Sequence, residues 1–384
     1  MTVGKQIRGA FLPIIFILSV GVAVILYGRG YRIDFKKKSL EPTGLLVATS
    51  SPDGAQVVID GKLTSATNTT VSLKPGWYQV KLQKEGYQPW EKRLRLQGEI
   101  VAKTDALLFP VTPALKPLTT AGASFVIPSP DGMKIVYVVP QNDKAGVWIL
   151  DLNERPILGI GSRQLAKIVP ESLSFSPNGR QILAKIGKTA YLLEADRLNN
   201  PLNEVSLSFS EIIKQWENEE TTIKDTLLST LSPELIKVVT TSMTIIKWSP
   251  DESKILYEAT SSANIPRIII PPLIGTNSTT EEREIKKGAI YIYDLKEDKN
   301  FHVGEGKDIW PKIHWFPDSR HLILVDKDKI SIVEYDGTNK TTVYAGPFEK
   351  EFVAPSPNGN KIFVLTTLNL TVLDKPNLYA IDLR

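Results

Sequence analysis

One short phrase returns five times in this chain and constrains most of what it can fold into. It reads Ser129-Pro130-Asp131-Gly132, Ser176-Pro177-Asn178-Gly179, Ser249-Pro250-Asp251-Glu252, Phe316-Pro317-Asp318-Ser319 and Ser356-Pro357-Asn358-Gly359. A strand-like apolar run follows each copy: Ile135-Val136-Tyr137-Val138-Val139, Ile182-Leu183-Ala184, Ile255-Leu256-Tyr257, Leu322-Ile323-Leu324-Val325 and Ile362-Phe363-Val364-Leu365. Proline presets φ for the first turn position, Asp or Asn folds back onto nearby amides, and Gly takes positive φ without a Cβ clash. Each copy is therefore expected to be a tight turn between two strands, with Phe175, Trp248 or Trp315 on the strand ahead in three of them. A further strand ending in an acid then follows, as in Val147-Trp148-Ile149-Leu150-Asp151 and Ile290-Tyr291-Ile292-Tyr293-Asp294.

The copies start at 129, 176, 249, 316 and 356, so two intervals are 47 and 40 residues and two are 73 and 67. The short intervals match the roughly 40 to 50 residues of a propeller blade, and the long ones match it with an insertion of about 25 to 30 residues each. From about residue 115 onward the repeats resemble the WD40-like blades of the TolB-type β-propeller family. Leu115-Lys116-Pro117-Leu118-Thr119 resembles the outer strand of such a blade, and it is expected to complete the last one, which ends at Ile381-Asp382-Leu383-Arg384. That pairing removes a bare sheet edge. The alternative is an open β-sandwich of loosely similar hairpins.

Ahead of the repeats, residues 44–109 alternate in strand fashion between Gly, Pro and Asp turns, which predicts a compact β-sandwich. Ser51-Pro52-Asp53-Gly54-Ala55, Leu73-Lys74-Pro75-Gly76-Trp77-Tyr78 and Glu85-Gly86-Tyr87-Gln88-Pro89-Trp90 follow one another in an order similar to the PEGA domain, a small envelope-associated module. Its tetrapeptide Pro-Glu-Gly-Ala appears as Pro52-Asp53-Gly54-Ala55. Gly54, Gly61, Gly76 and Gly86 are expected in tight turns, with Val57, Ile59, Tyr78, Val80 and Leu82 filling one inner face by alternation. Tyr87 and Trp90 can stack on a sugar, but aromatic core explains them more simply.

Residues 9–28 carry no charge. At 1.5 Å per residue a helix of that length reaches roughly 30 Å, the thickness of the bilayer hydrocarbon, so a transmembrane helix is predicted. A cleaved signal peptide with Gly21-Val22-Ala23 as its site is the alternative, although the apolar run continues to Leu26-Tyr27. Lys5 and Arg8 precede the span, whereas Arg29, Arg32, Lys36, Lys37 and Lys38 follow it. The positive-inside rule read literally holds the C-terminal side in the cytoplasm. The resemblance of both modules to envelope families implies instead that the bulk lies outside the cytoplasmic membrane, with the basic cluster on anionic headgroups.

The expected organisation is an all-β chain: a short tail (1–8), the transmembrane helix (9–28), a basic linker (29–43), the PEGA-like sandwich (44–109) and a propeller of about five blades (110–384). Insertions are expected at about 199–243 and 261–287. In the first, Phe209, Ile212, Ile213 and Trp216 recur at helical spacing, and Ser232-Pro233-Glu234 has the cap, N1 proline and acidic first turn of a second helix. The second, Ile265-Pro266-Arg267-Ile268-Ile269-Ile270-Pro271-Pro272-Leu273-Ile274, is apolar but too proline-rich for helix or central strand. It must pack on its own protein or meet a partner.

Little in the chain points to chemistry. With no cysteine among 384 residues, disulfides, thiolate catalysis, iron-sulfur clusters and zinc ribbons are excluded. A net charge of +4 from dispersed residues does not argue for nucleic acid. His302, His314 and His321 have no metal-ligand spacing, and Asp326-Lys327-Asp328-Lys329 is expected to be a hairpin tip rather than a calcium loop. There is no nucleophile elbow, Walker loop or dinucleotide signature, and without an α/β domain after the last repeat a peptidase is not expected. The reading is a membrane-anchored, non-enzymatic envelope protein that binds a protein or wall polymer and uses no cofactor or metal. The alternative is a carbohydrate-active enzyme with paired carboxylates in the propeller channel, about 5 to 9.5 Å apart.

Overall fold

The computed structural model describes residues 3–28, 30–34, 39–141, 143–155, 159–306, 313–368 and 375–384. The chain is mostly β and divides into two units, one of residues 1–108 with 270–280 and one of 109–269 with 281–384. The second insertion is thus split, its middle lying with the first unit and its stems with the second.

In the first unit, helix α1 (Val3–Gly28) covers the stretch expected to be helical. Its described side chains are those of residue 13 and residues 15–28, and among the described residues no helix is long and apolar enough to cross a membrane. Phe16, Ile17, Val24 and Ile25 on it are exposed. Arg29, Lys36, Lys37 and Lys38 lie outside the described residues.

The expected linker contains a two-stranded antiparallel sheet, Tyr31–Asp34 with Ser39–Pro42, and after it the described residues form a seven-stranded sandwich. One sheet is Thr69–Leu73, Gly44–Ser51 and Val101–Leu107, the last two parallel; the other is Lys62–Ala66, Gln56–Ile59, Gly76–Gln83 and Trp90–Leu96. Alternation puts Val57, Val80, Leu82, Leu94 and Leu96 into one core with Leu46 and Trp90. Trp90 is 5% exposed and Tyr87 packs on the same cluster, so both serve as core. The Pro52-Asp53-Gly54-Ala55 turn is pinned from below: Ala55 N donates to Thr67 Oγ1 at 2.9 Å, and Thr67 N donates to Ala55 O at 2.8 Å. Gly54, Gly61 and Gly86 have φ of 71°, 78° and 79°. Gly76 is the exception to the turn expectation, because it opens the strand Gly76–Gln83.

Among the described residues the second unit holds five four-stranded antiparallel sheets and a short pair, Ala263–Asn264 with Glu284–Ile285. Sheet I is Ser124–Pro128, Lys134–Val139, Gly146–Arg155 and Gly159–Ala166; sheet II is Ser172–Phe175, Gln181–Ile186, Thr189–Glu194 and Asn203–Glu204. Sheet III is Met243–Trp248, Lys254–Ala259, Ala289–Asp294 and Lys299–Glu305; sheet IV is Ile313–Trp315, His321–Val325, Lys329–Glu334 and Thr341–Ala345. Sheet V is Val353–Pro355, Lys361–Thr366, Asn377–Asp382 and, as its fourth strand, Leu115–Pro117. The expected pairing of the early strand with the last repeat is therefore present, in register Leu115 to Ile381, with Lys116 Nζ 2.6 Å from Asp382 Oδ2.

Each phrase forms the turn between the first and second strands of its sheet. Backbone bonds from Gly132 to Ser129, Gly179 to Ser176, Glu252 to Ser249, Ser319 to Phe316 and Gly359 to Ser356 close the five turns. The fourth residue has positive φ every time, 69°, 68°, 57°, 58° and 68° in chain order, although only three are glycine.

Apolar clusters join the sheets face to face. Tyr137 and Leu150 meet Phe363 and Ala380 between sheets I and V; Val138 and Ile149 meet Ile182 and Leu193 between I and II. Leu256 and Ile292 meet Leu322 and Val333 between III and IV. The other face of sheet II is covered by helix α2 (Phe209–Ser229) through Phe209, Ile212, Ile213 and Trp216. The other face of sheet III is covered by helix α3 (Pro233–Ser242) through Leu235 and Val239. Ser232 caps α3, its side chain accepting from Leu235 N at 3.3 Å, with Pro233 at N1 as expected.

Two of the glycine turns separate backbone strain from crowding. A Cβ on Gly132 meets nothing within 4 Å, whereas one on Gly359 lies 2.8 Å from Phe316 Cε1. Gly132→Ala is expected to lose about 1 kcal/mol for the αL conformation alone. Gly359→Ala should lose clearly more, because the buried Phe316 ring must also move. Denaturant titration of both variants checks the order, and equal losses would contradict it.

Candidate functional site

The three histidines lie apart. His302 tilts over Tyr291 at 5.3 Å between ring centroids, with Nε2 3.7 Å from Glu305 Oε1. His321 is buried between the edges of Phe109 and Phe316, and its Nδ1 is 2.6 Å from Asp318 Oδ2. His314 sits on the first strand of sheet IV. Among the described residues no group of three His, Cys, Asp or Glu could hold a metal ion. Residues 326–328 turn the hairpin of sheet IV, with Asp326 N donating to Lys329 O at 2.9 Å, as their sequence predicts.

The acids are employed structurally. Asp251, Asp298 and Asp318 all have lowered pKa values: burial by itself raises each, and hydrogen bonds to the ionised form outweigh it. Around Asp251 the donors are Ser253, Ser249 and Lys296; around Asp318 the main one is His321. None is a carboxyl held protonated near neutrality, the state a general acid needs.

Asp298 anchors the stems of the second insertion. Its Oδ1 accepts from Tyr293 Oη at 2.6 Å, and its Oδ2 accepts from Ile268 N and Ile269 N at 2.8 and 2.9 Å. Arg283 reaches Asp298 Oδ1 at 3.1 Å and Glu281 Oε2 at 3.0 Å, while Arg267 reaches Glu281 Oε1 at 3.0 Å. The expected packing of this insertion on its own protein is met by Ile265, which is buried in the core of sheet III. Further along, Gly275 N donates to Gln97 Oε1 at 3.2 Å and Arg95 N to Ser278 Oγ at 3.0 Å, both within the first unit. Ile270 and Ile274 remain exposed, at 79% and 67%.

The first strands of the five sheets have a different chemistry. Those strands read Ser-Phe-Val-Ile-Pro, Ser-Leu-Ser-Phe, Met-Thr-Ile-Ile-Lys-Trp, Ile-His-Trp and Val-Ala-Pro from sheet I to sheet V, with no Asp or Glu among them. Their only titratable groups are Lys247 and His314. Burial, joined by the field of Lys247, pushes His314 down to about 4, and burial also lowers Lys247. The two lie 67 residues apart in sequence, and their strands meet where Trp315 Nε1 donates to Lys247 O at 3.3 Å. Two recesses lie elsewhere. One of about 450 Å³ in the second unit is lined by Phe125, Glu349, Glu351, Phe352 and Lys375, and one of about 700 Å³ on the sandwich by Gln56, Lys81, Lys84 and Tyr87.

Because the unfolded chain binds a proton at His314 near the ordinary histidine value of about 6.5 and the folded chain only near 4, stability falls as pH drops through that interval. The share lost is on the order of 3 kcal/mol. His314→Gln should flatten the corresponding part of the stability profile between neutral and acid pH, and an unchanged profile would refute the assignment.

Asp298→Ala strips four donors of their acceptor and leaves Arg283 with one carboxylate fewer in a largely buried setting. A loss of about 3 kcal/mol is expected, together with faster amide exchange at Ile268 and Ile269. Denaturation and hydrogen exchange check the two effects separately.

Two TolB proteins are among the solved structures similar to this chain. A protein assigned as TolB from Agrobacterium tumefaciens has 15% identity and a TM-score of 0.22, over 68% of this chain and 73% of that one. TolB from Acinetobacter baumannii has 12% identity and a TM-score of 0.22, over 79% of this chain and 59% of that one. No curated protein matches the sequence. The sandwich of the first unit is the part with a family match: residues 43–110 match the family model described as the PEGA domain, as their Pro-Asp-Gly-Ala turn and later phrases imply.

Proposed function

We propose that this chain is a single-pass, membrane-anchored envelope protein that catalyses nothing and presents a PEGA module and a five-bladed propeller to a protein or wall-polymer partner. The observation that carries it is the absence of any carboxylate from the five first strands. In a propeller those strands surround the central channel, which is where the paired acids of a glycosidase would have to stand. The carbohydrate-active alternative finds no pair of acids there to support it.

The propeller arrangement draws support from the order of packed layers, α2, II, I, V, IV, III and α3, with sheet IV reaching sheet V where Phe316 abuts Gly359. The two end layers are helices joined through residues 230–232, and Leu228 of α2 packs with α3 in one cluster. The helical insertion thus fits the place where a sixth blade would stand. Anchoring rests on the sequence, in which residues 9–28 carry no charge and would reach roughly 30 Å as a helix.

Two measurements test this reading. The full chain should stay in the membrane fraction under alkaline carbonate, whereas a chain lacking residues 1–28 should be released. Protease added to intact spheroplasts should digest the sandwich and the sheets while sparing cytoplasmic controls. Release of the full chain, or protection of its C-terminal part until the cells are lysed, contradicts the proposal.

A further inference from the structure

Six successive residues of the second insertion, Ile270-Pro271-Pro272-Leu273-Ile274-Gly275, carry no charge and all lie exposed. They belong to the first unit, and two bonds hold them on its sandwich: Gly275 N donates to Gln97 Oε1 at 3.2 Å, and Arg95 N donates to Ser278 Oγ at 3.0 Å. Gly275 has a φ of 72°, and a Cβ there would stand 2.7 Å from Ile100 Cγ2, so the seat is a close one. An apolar tip fixed in the open marks a contact surface. Pro271 and Pro272 also have no amide hydrogen, which lowers the cost of placing this backbone where water cannot bond to it.

The place of the tip in the unit indicates what covers it. Residues 97–100, on which it sits, also receive the chain as it leaves α1: Glu99 N donates to Thr43 O at 3.1 Å and Leu45 N to Ile100 O at 3.0 Å. Thr43 N in turn donates to Gly30 O at 2.9 Å, and Gly30 N to Tyr27 O at 3.1 Å in the last turn of the helix. The tip and the C-terminal end of α1 therefore meet the same end of the sandwich. The hairpin of Gly76–Gln83 and Trp90–Leu96 opens at that end, where Gly76 is in register with Leu96. Trp77 stands there on the outer face, opposite in alternation to the buried Val80 and Leu82, and is 48% exposed. The Arg93 guanidinium lies 4.9 Å from its ring centroid, and Arg95 is its partner in register. Both arginines are exposed, as is Glu99, the acid of the 97–100 turn.

We propose that this end of the sandwich docks on the lipid surface, with the 270–275 tip among the outermost acyl carbons and Trp77, Arg93 and Arg95 at the level of the headgroups. Tryptophan is favoured at that depth because its ring is apolar and its N–H is not, and each basic side chain near anionic headgroups improves partition about fivefold. Lipid is the occupant because the helix that enters the bilayer is bonded to the residues that seat the tip. The inference rests on the anchoring proposed above, since the end of α1 sets the height of the bilayer surface. It adds to that tether a second contact, which fixes how the sandwich is turned against the membrane.

The chain has no cysteine, so a single introduced thiol can carry an environment-sensitive fluorophore. Ile274→Cys labels the tip, Val22→Cys labels α1, and Glu85→Cys labels the turn at the far end of the same hairpin, roughly 25 Å away along eight residues of strand. Each full-length variant is reconstituted into vesicles of phosphatidylcholine and phosphatidylglycerol, with and without lipid spin-labelled near the headgroup. The labels at positions 22 and 274 should be quenched by the spin-labelled lipid and the label at position 85 should not. Adding Arg95→Gln to Ile274→Cys should lower the ratio of quenched to unquenched label about fivefold. No quenching at position 22 removes the anchor and the docking with it, whereas quenching at 22 without quenching at 274 removes the docking alone. Equal quenching at 274 and 85, a blue shift at 274 that spin-labelled lipid does not quench, as a second copy of the chain would give, or a ratio unmoved by Arg95→Gln overturns the proposal as well.

Discussion

A serine hydroxyl that donates to an Asp or Asn two residues on, and accepts the amide five residues on, is the contact from which the sheets of the second unit are built. Ser129 Oγ lies 2.5 Å from Asp131 Oδ1 and 2.9 Å from Lys134 N, and the same pair of bonds recurs from Ser176, Ser249 and Ser356. Each bond is worth only about 1 kcal/mol net. Its larger effect is on register: the amide it holds belongs to the first residue of the second strand, and a slip of one residue there turns every core side chain outward. The fourth repeat has Phe316 in place of serine and cannot make this contact. Its Asp318 accepts from Arg320 N at 2.8 Å as the other repeats do, takes the first amide of the second strand itself, from His321 N at 3.0 Å, and meets His321 Nδ1 at 2.6 Å. The ring nitrogen thus stands in for the missing hydroxyl, and Phe316 is free to fill the core beside Gly359.

What the sequence makes legible follows from this local character. Turn chemistry and strand alternation act over a few residues, so five repeats, their strand order and the inner face of the sandwich can be read from the letters. The same holds for α3, where Ser232, Pro233 and Glu234 act within one helical turn. Gly76 was misread because a glycine after proline looks like a turn whatever its φ, and here the turn ends one residue earlier. Nothing local marks Asp298, whose partners Ile268, Ile269 and Arg283 come from the far side of an insertion. Nor does anything local say that residues 270–280 belong with the first unit, since their bonds run to Gln97 and Arg95.

Insertions cost little entropy when they sit in surface connections, because loop closure grows only slowly with length. Both insertions here obey that rule and then acquire a structural task. The helical pair covers one face each of sheets II and III, faces that would otherwise expose Leu183, Ala190, Tyr257 and Tyr291. The proline-rich stretch cannot form a ladder, so its amides at Ile268 and Ile269 are satisfied by a side chain in place of a strand. Asp298 is well suited to that task, having 3% exposure and two further donors in Tyr293 and Arg283 to hold it ionised.

The distribution of charge separates the scaffold from the surface left for binding. A carboxylate that accepts several hydrogen bonds is fixed in its ionised state and stiffens whatever donates to it; the buried Asp298, the half-buried Asp318 and the exposed Asp251 are all used in this way, at turns and strand ends. Acids so occupied have no proton to deliver and no free lone pair to attack with. The first strands of the five sheets have the opposite character: no carboxylate stands on them, and their titratable groups are Lys247 and His314.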